Sequence, residues 1–126
     1  MTHARILGLD HVQVAAPPGC ESQARSFYGG LIGLSEVEKP ERLRARGGVW
    51  FACGSQQLHV GVTEAFSPAG KAHPALLVAP GSLDELALRL SQAGEQVLWD
   101  EELAGARRFY CSDPWGNRVE LLERAV

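Results

Sequence analysis

Four side chains in this sequence are of types that hold divalent metal ions, and they recur at matched intervals. His11 is followed 62 residues later by His73, and His59 is followed 61 residues later by Glu120. Imidazole and carboxylate together suit zinc, nickel, iron, cobalt or manganese, and a ligand list alone does not choose among them. Each residue taken singly has an ordinary reading: a strand histidine is usually hydrogen-bonded or exposed, and a glutamate near a C-terminus is usually a solvated charge. Only their register makes a metal site of them. Three imidazoles and one carboxylate converge if the sheet face they share is concave. His3 stands ahead of the first strand and outside this pattern.

The elements that must position these residues also repeat, which is the first thing to look for in any chain. In the first half, residues 9–14 alternate as a strand. Residues 20–31 then carry Ala24, Phe27, Tyr28 and Leu31 on one helical face, closed by Gly29, Gly30 and Gly33. Strand-like segments 48–52 and 57–62 follow, joined by a tight turn at Gly54-Ser55. In the second half, residues 73–78 read as a strand. Ser82-Leu83-Asp84-Glu85 reads as a capping box, opening a helix with Leu83, Leu86, Ala87 and Leu90 on its buried stripe and Gly94 as C-terminal cap. Strands 96–99, 107–111 and 118–122 complete it, the last two separated by the turn Asp113-Pro114-Trp115-Gly116-Asn117. His11 and His73 fall in the first strand of each half, His59 and Glu120 in the last. The residues flanking His59 (Leu58, Val60) and Glu120 (Val119, Leu121) are apolar, so His59 and Glu120 must point away from the core.

The bulk properties bound the answer. At 126 residues, 45% of them hydrophobic and 21% charged, the chain suits one globular domain. A net charge of −3 with 12 scattered Lys and Arg argues against nucleic acid as a partner. Arg42, Arg44 and Arg46 form a local basic edge whose plainest reading is a solvated surface. Cys20, Cys53 and Cys111 make no CxxC pair and read as reduced, packed thiols. No stretch approaches the roughly 20 apolar residues of a membrane span, and the segment Met1-Thr2-His3-Ala4-Arg5 has no leader-like character. The expectation is a soluble, cytoplasmic protein with no membrane and no nucleic-acid partner.

On Leu9-Asp10-His11-Val12, on Ala24-Arg25-Ser26-Phe27-Tyr28 with Leu31-Ile32-Gly33-Leu34, and on residues 113–121, nearly the whole chain resembles the vicinal oxygen chelate superfamily. That superfamily includes glyoxalase I, fosfomycin-resistance thiol transferases, extradiol dioxygenases and bleomycin-resistance proteins. The resemblance implies an α+β fold: two tandem βαβββ modules forming a curved mixed sheet around a cavity. Module one would span about residues 6–62, the linker about 63–71 and module two about 72–124. It also implies a homodimer in which each site combines two ligands from each chain, with metal ligands at His11, His59, His73 and Glu120.

The departures narrow the function. His59 stands where glyoxalase I has Glu, and Ala15 and Thr63 stand where its glutathione-binding Arg and Asn are usual. Gln13 replaces the catalytic Thr of the fosfomycin transferases. The expectation is a divalent-metal-dependent lyase, isomerase or oxygenase acting on a small oxygen-bearing substrate. Glu120 would be a ligand or, leaving the metal, the catalytic base. Gln13 would contact substrate, together with one of Trp50 and Phe51 and one of Arg107 and Arg108, since alternation turns only one of each pair to the cavity. The alternative is a metal-free protein of the bleomycin-resistance type that sequesters a drug or metabolite.

Overall fold

A computed structural model describes residues 3–125; Met1, Thr2 and Val126, including the start of the segment read above as lacking a leader, lie outside the described residues. Module one runs β1 (His11–Ala16), α1 (Glu21–Ala24), a π-helical stretch (Arg25–Leu31), β2 (Ser35–Val37), α2 (Glu41–Arg44), β3 (Val49–Cys53) and β4 (Gln56–Val62). Module two runs β5 (Ala75–Leu77), α3 (Leu83–Gln92), β6 (Leu98–Asp100), β7 (Ala106–Ser112) and β8 (Arg118–Arg124). Each module forms its own four-stranded mixed sheet, ordered β1-β4-β3-β2 and β5-β8-β7-β6. The first strand of each lies parallel to the last, and the other neighbours are antiparallel. This is the expected pair of βαβββ modules, with two sheets in place of one continuous sheet.

Helices cover one face of each sheet, and the core lies between. Val49, Phe51, Leu58 and Val60 meet Ala24, Phe27 and Tyr28 in module one; Phe109, Cys111, Val119 and Leu121 share the same core with Leu83, Leu86 and Leu90 in module two. The other face of each sheet is open. A single apolar cluster therefore serves both modules while leaving two comparable faces for chemistry.

Three local features differ from the sequence reading. The first helix changes to wider winding after Ala24, with Ile32 N–H donating to the Phe27 carbonyl at 2.9 Å. Gly29-Gly30 has little helix propensity to resist this. Secondly, the capping box is not formed: Ser82 has helical dihedrals (φ −94°, ψ −12°) and makes no side-chain cap bond, whereas a capping residue must be extended to reach the next turn's amides. Thirdly, β2 and α2 appear between the first helix and β3. No helix among the described residues is long and apolar enough to cross a membrane, and the three cysteines are free thiols.

The modules are joined by the turn at 113–117. The buried Asp113 carboxylate accepts hydrogen bonds from Tyr28 Oη (2.8 Å), the Trp115 (3.1 Å) and Asn117 (2.8 Å) amides, and Asn117 Nδ2 (2.8 Å). Asn117 Nδ2 also donates to the Ala15 carbonyl at 2.8 Å. Burial, then the neighbouring Asp113 charge, keeps the Tyr28 hydroxyl far above its ordinary pKa, so it stays a donor.

Candidate active site on the open faces

Strand register decides which side chains share the open faces. In module one His59 lies opposite Gln13 on β1 and Trp50 on β3, so all three point the same way. His11, two residues before Gln13, joins them. The rings form one stack, with Trp50 on His59 at 3.8 Å between centroids and His59 on His11 at 4.2 Å. Each histidine ring also uses one nitrogen on a side chain: His59 Nε2 meets Gln57 Oε1 at 2.8 Å, and His11 Nδ1 meets Asp10 Oδ1 at 2.8 Å. Burial, followed by the nearby His11, lowers the pKa of His59, which is only 4% exposed. A neutral imidazole with a lone pair is the form that ligates a metal. The stacked rings are 19° from coplanar, so their lone pairs lie in nearly parallel planes.

In module two Glu120 lies opposite Ala75 on β5 and Tyr110 on β7, and Arg108 lies opposite Leu122 on β8 and Asp100 on β6. The result is a chain of charged contacts. Asp100 Oδ1 accepts from Arg108 Nε and Nη2 at 3.1 and 3.0 Å, and Arg108 Nη1 donates to Glu120 Oε2 at 3.3 Å. Glu120 Oε1 meets His73 Nε2 at 2.9 Å, and His73 Nδ1 lies 2.8 Å from the Lys71 carbonyl. A carbonyl can only accept, so His73 Nδ1 carries the proton. The two atoms facing each other at 2.9 Å are then a ring nitrogen and a carboxylate oxygen, which need a cation between them, either a proton or a metal ion. That donor set, its histidine oriented through the second nitrogen, fits a divalent metal.

Among the described residues no three His, Cys, Asp or Glu side chains group to hold a metal ion. The four expected ligands therefore stand as two pairs, one on each open face: His11 with His59, and His73 with Glu120. Of the expected substrate contacts, Gln13, Trp50 and Arg108 lie on the open faces. Phe51 does not; it is fully buried beneath the helix layer, opposite Leu58. Arg107 does not either: it pairs with Asp84 of α3 at 3.0 and 3.2 Å and covers Trp99 at 5.1 Å. Three further residues of the open faces had escaped the sequence reading: Gln57, Asp100 and Tyr110. Tyr110 carries a period-two signal with Arg108 and Ser112, and Gln57 the same with His59. Asp100 has no such signal, because only the β6–β7 register brings it to Arg108.

No family model matches the sequence, and no curated protein does. Solved structures do. A protein from Bacillus anthracis, described only as a glyoxalase family protein, is 50% identical, with a TM-score of 0.91 over 98% of this chain and 99% of its own. A glyoxalase/dioxygenase from Nostoc punctiforme shares the fold at 18% identity, with a TM-score of 0.79 over 100% of each chain. So does a mutant of the fosfomycin resistance protein FosX from Listeria monocytogenes, solved with Mn(II) and 1S,2S-dihydroxypropylphosphonic acid. It is 17% identical, with a TM-score of 0.75 over 96% of this chain and 93% of its own. The paired βαβββ modules and half-identity over nearly the full length of a glyoxalase family protein lead to one conclusion: this chain belongs to the glyoxalase family and has the vicinal oxygen chelate fold.

Proposed function

We propose that the protein is a divalent-metal-dependent enzyme of lyase, isomerase or oxygenase type, acting as a homodimer on a small oxygen-bearing substrate. His11 and His59 of one copy and His73 and Glu120 of a second would hold the ion. The observation that carries this reading is the division of the ligands, two on each open face, with no three grouped among the described residues. Bringing unlike faces of two copies together gives four ligands. Exposed Leu77 and Leu98 support it, because strand pairing sets them on the face of Glu120 and leaves apolar surface for a partner to cover. Bound there, a divalent ion supplies Lewis acidity toward adjacent substrate oxygens.

The chain's own residues do the remaining work. Arg108 fixes Glu120 through Oε2 and is itself held by Asp100, so the other carboxylate oxygen has a set direction. On leaving the ion, Glu120 Oε1 is the atom that would accept a substrate proton. The Trp50 indole forms one wall, and the Gln13 amide donates to a substrate oxygen. A second reading, metal-free sequestration of a drug or metabolite, has its own support: the Trp50–His59–His11 stack is complete without an ion and offers a flat aromatic surface.

Untagged protein purified without chelator should carry about one metal equivalent per chain by plasma mass spectrometry and run as a dimer by light scattering. His59→Ala/Glu120→Ala should lose the metal. Protein that holds no metal, and takes up no zinc, nickel, cobalt, manganese or anaerobic ferrous iron, would overturn the enzyme reading in favour of sequestration.

A further inference from the structure

Beside the aromatic stack, on module one alone, lies a cavity of about 250 Å³ lined by Gln13, Lys39, Leu43, Arg46, Trp50 and Gly61 among others. Two of its lining side chains are cationic, and no carboxylate lines it. This is unusual on a chain with a net charge of −3. The neighbouring acids are already engaged, Glu38 with Arg44, Glu36 with Arg25 and Glu21 with the Gly48 amide. The basic edge of the sequence is therefore divided: Arg44 is neutralised, Arg42 lies on exposed α2, and Arg46 lines the cavity.

The backbone is built to hold this arrangement. Lys39 Nζ donates to the Gly47 carbonyl, leaving two of the ammonium's three donors for other partners. Gly48 has φ +86°, and a Cβ there would stand 2.2 Å from the Val60 carbonyl oxygen, so only glycine lets the α2–β3 connection press onto β4. Glu21 Oε2 accepts the Gly48 amide at 2.6 Å and fixes the turn. On the cavity floor Gly61 has no side chain, and the Gln13 amide lies over it, within 2.6 Å of where a Cβ would be.

The geometry points to a substrate with an anionic end: Lys39 and Arg46 bind an oxyanion group, carboxylate or phosphate-type, with the Gln13 amide beside it and Trp50 as the wall toward His59. This deepens the proposed function and rests on its assignment of the module-one open face to substrate. Paired cations lining one pocket are a usual device for such groups, through charge-assisted hydrogen bonds.

The test uses the full chain, stripped of metal, so that the anions cannot be read through a bound ion. Nitrogen-15 signals of the Trp50 indole and the Arg46 guanidinium, assigned with Trp50→Phe and Arg46→Gln, are followed at constant ionic strength. Pyruvate, inorganic phosphate and methyl pyruvate are added in turn. Saturable shifts of both signals with pyruvate or phosphate are expected, the tighter anion identifying the class. Methyl pyruvate should be silent, and Lys39→Gln/Arg46→Gln should weaken binding about tenfold or more. Arg42→Gln, which removes a charge outside the cavity, should retain the affinity. Linear titrations with both anions, equal shifts with the neutral ester, or undiminished affinity in the double variant would each overturn the assignment. Metal content of untreated protein is measured separately, so failure here leaves the metal reading standing, and loss of the metal reading leaves a measured anion site in place.

Discussion

The open face of module one is built from rings and amides: Trp50, His59 and His11 stacked together, with Gln57 and Gln13 beside them. The equivalent face of module two is built from ions, with Asp100, Arg108, Glu120 and His73 linked in sequence. The helices differ as well. The first winds from α to π after Ala24, whereas α3 is a regular ten-residue helix over Leu83–Gln92. A duplicated topology has thus been divided into a half with neutral ligands, where burial lowers the pKa of an imidazole, and a half with a charged network, where salt bridges aim a carboxylate. Two like halves would bring either no anionic ligand or two. In the proposed dimer, two unlike halves facing each other across copies would bring one carboxylate and three imidazoles to each site.

The joint between the halves is the most consequential place to break this comparison. Asp113 accepts four hydrogen bonds from both modules inside the core. Asp113→Ala leaves those donors unsatisfied and should cost about 3–5 kcal/mol in urea unfolding. Tyr28→Phe, which removes one donor together with its proton, should cost only about 1–2 kcal/mol. If the modules are coupled through this turn, the Asp113→Ala transition should also broaden or split. A single transition of unchanged midpoint would show that the apolar core alone unites them.

The neutral and charged halves should respond differently to loss of their supporting residues. Arg108→Met removes the group that orients Glu120, and metal affinity by chelator competition should fall about 10–100-fold. Gln57→Leu removes only the bond to His59 Nε2, leaving the Trp50 stack to hold the ring, and its effect should stay near the lower end, about tenfold. Reversal of that order would place the orientation of the site in module one.

A smaller effect should appear on acidification. Glu21 has its pKa lowered, chiefly by the Gly48 amide it accepts, so its folded value lies below the ordinary 4.5. The unfolded chain then takes up the proton first. The stability contributed by Glu21 is present above about pH 4.5 and is lost as pH falls through the depressed value. Glu21→Gln should flatten that part of the stability profile, measured by urea unfolding from neutral pH to below 4, roughly the carboxylate range. A parallel profile for the variant would remove Glu21 as the clamp on the turn that positions Arg46.

Much of this was legible in the sequence because strands record their faces at every second residue. The places of His11, His59 and Glu120 in their strands, the buried stripe of α3 and the turn at 113–117 followed from local pattern, whereas His73 stands two residues ahead of β5. β2 did not, because Ser35-Glu36-Val37 holds one apolar residue and is a strand only through its pairing with β3. The π stretch was hidden because its winding answers to packing on Phe51. The Lys39–Arg46 cavity was hidden because two basic residues on either side of α2 have no period, and only the tertiary fold sets both on one cavity. The division of ligands into pairs belongs to the tertiary arrangement, where no one-dimensional pattern reaches.

The alternation that makes the face legible also supplies the least disruptive test of it. Arg107 and Arg108 are adjacent, equally charged and on one strand, yet Arg107 points to the helix side, where it pairs with exposed Asp84. Surface pairs of this kind contribute little. Arg107→Ala should therefore leave metal affinity unchanged, and the difference from Arg108→Met in the same competition assay isolates direction from charge. Equal losses in the two variants would mean that the strand's net charge, acting at a distance, supports Glu120. A loss confined to Arg108 would mean that the contact at 3.3 Å does so.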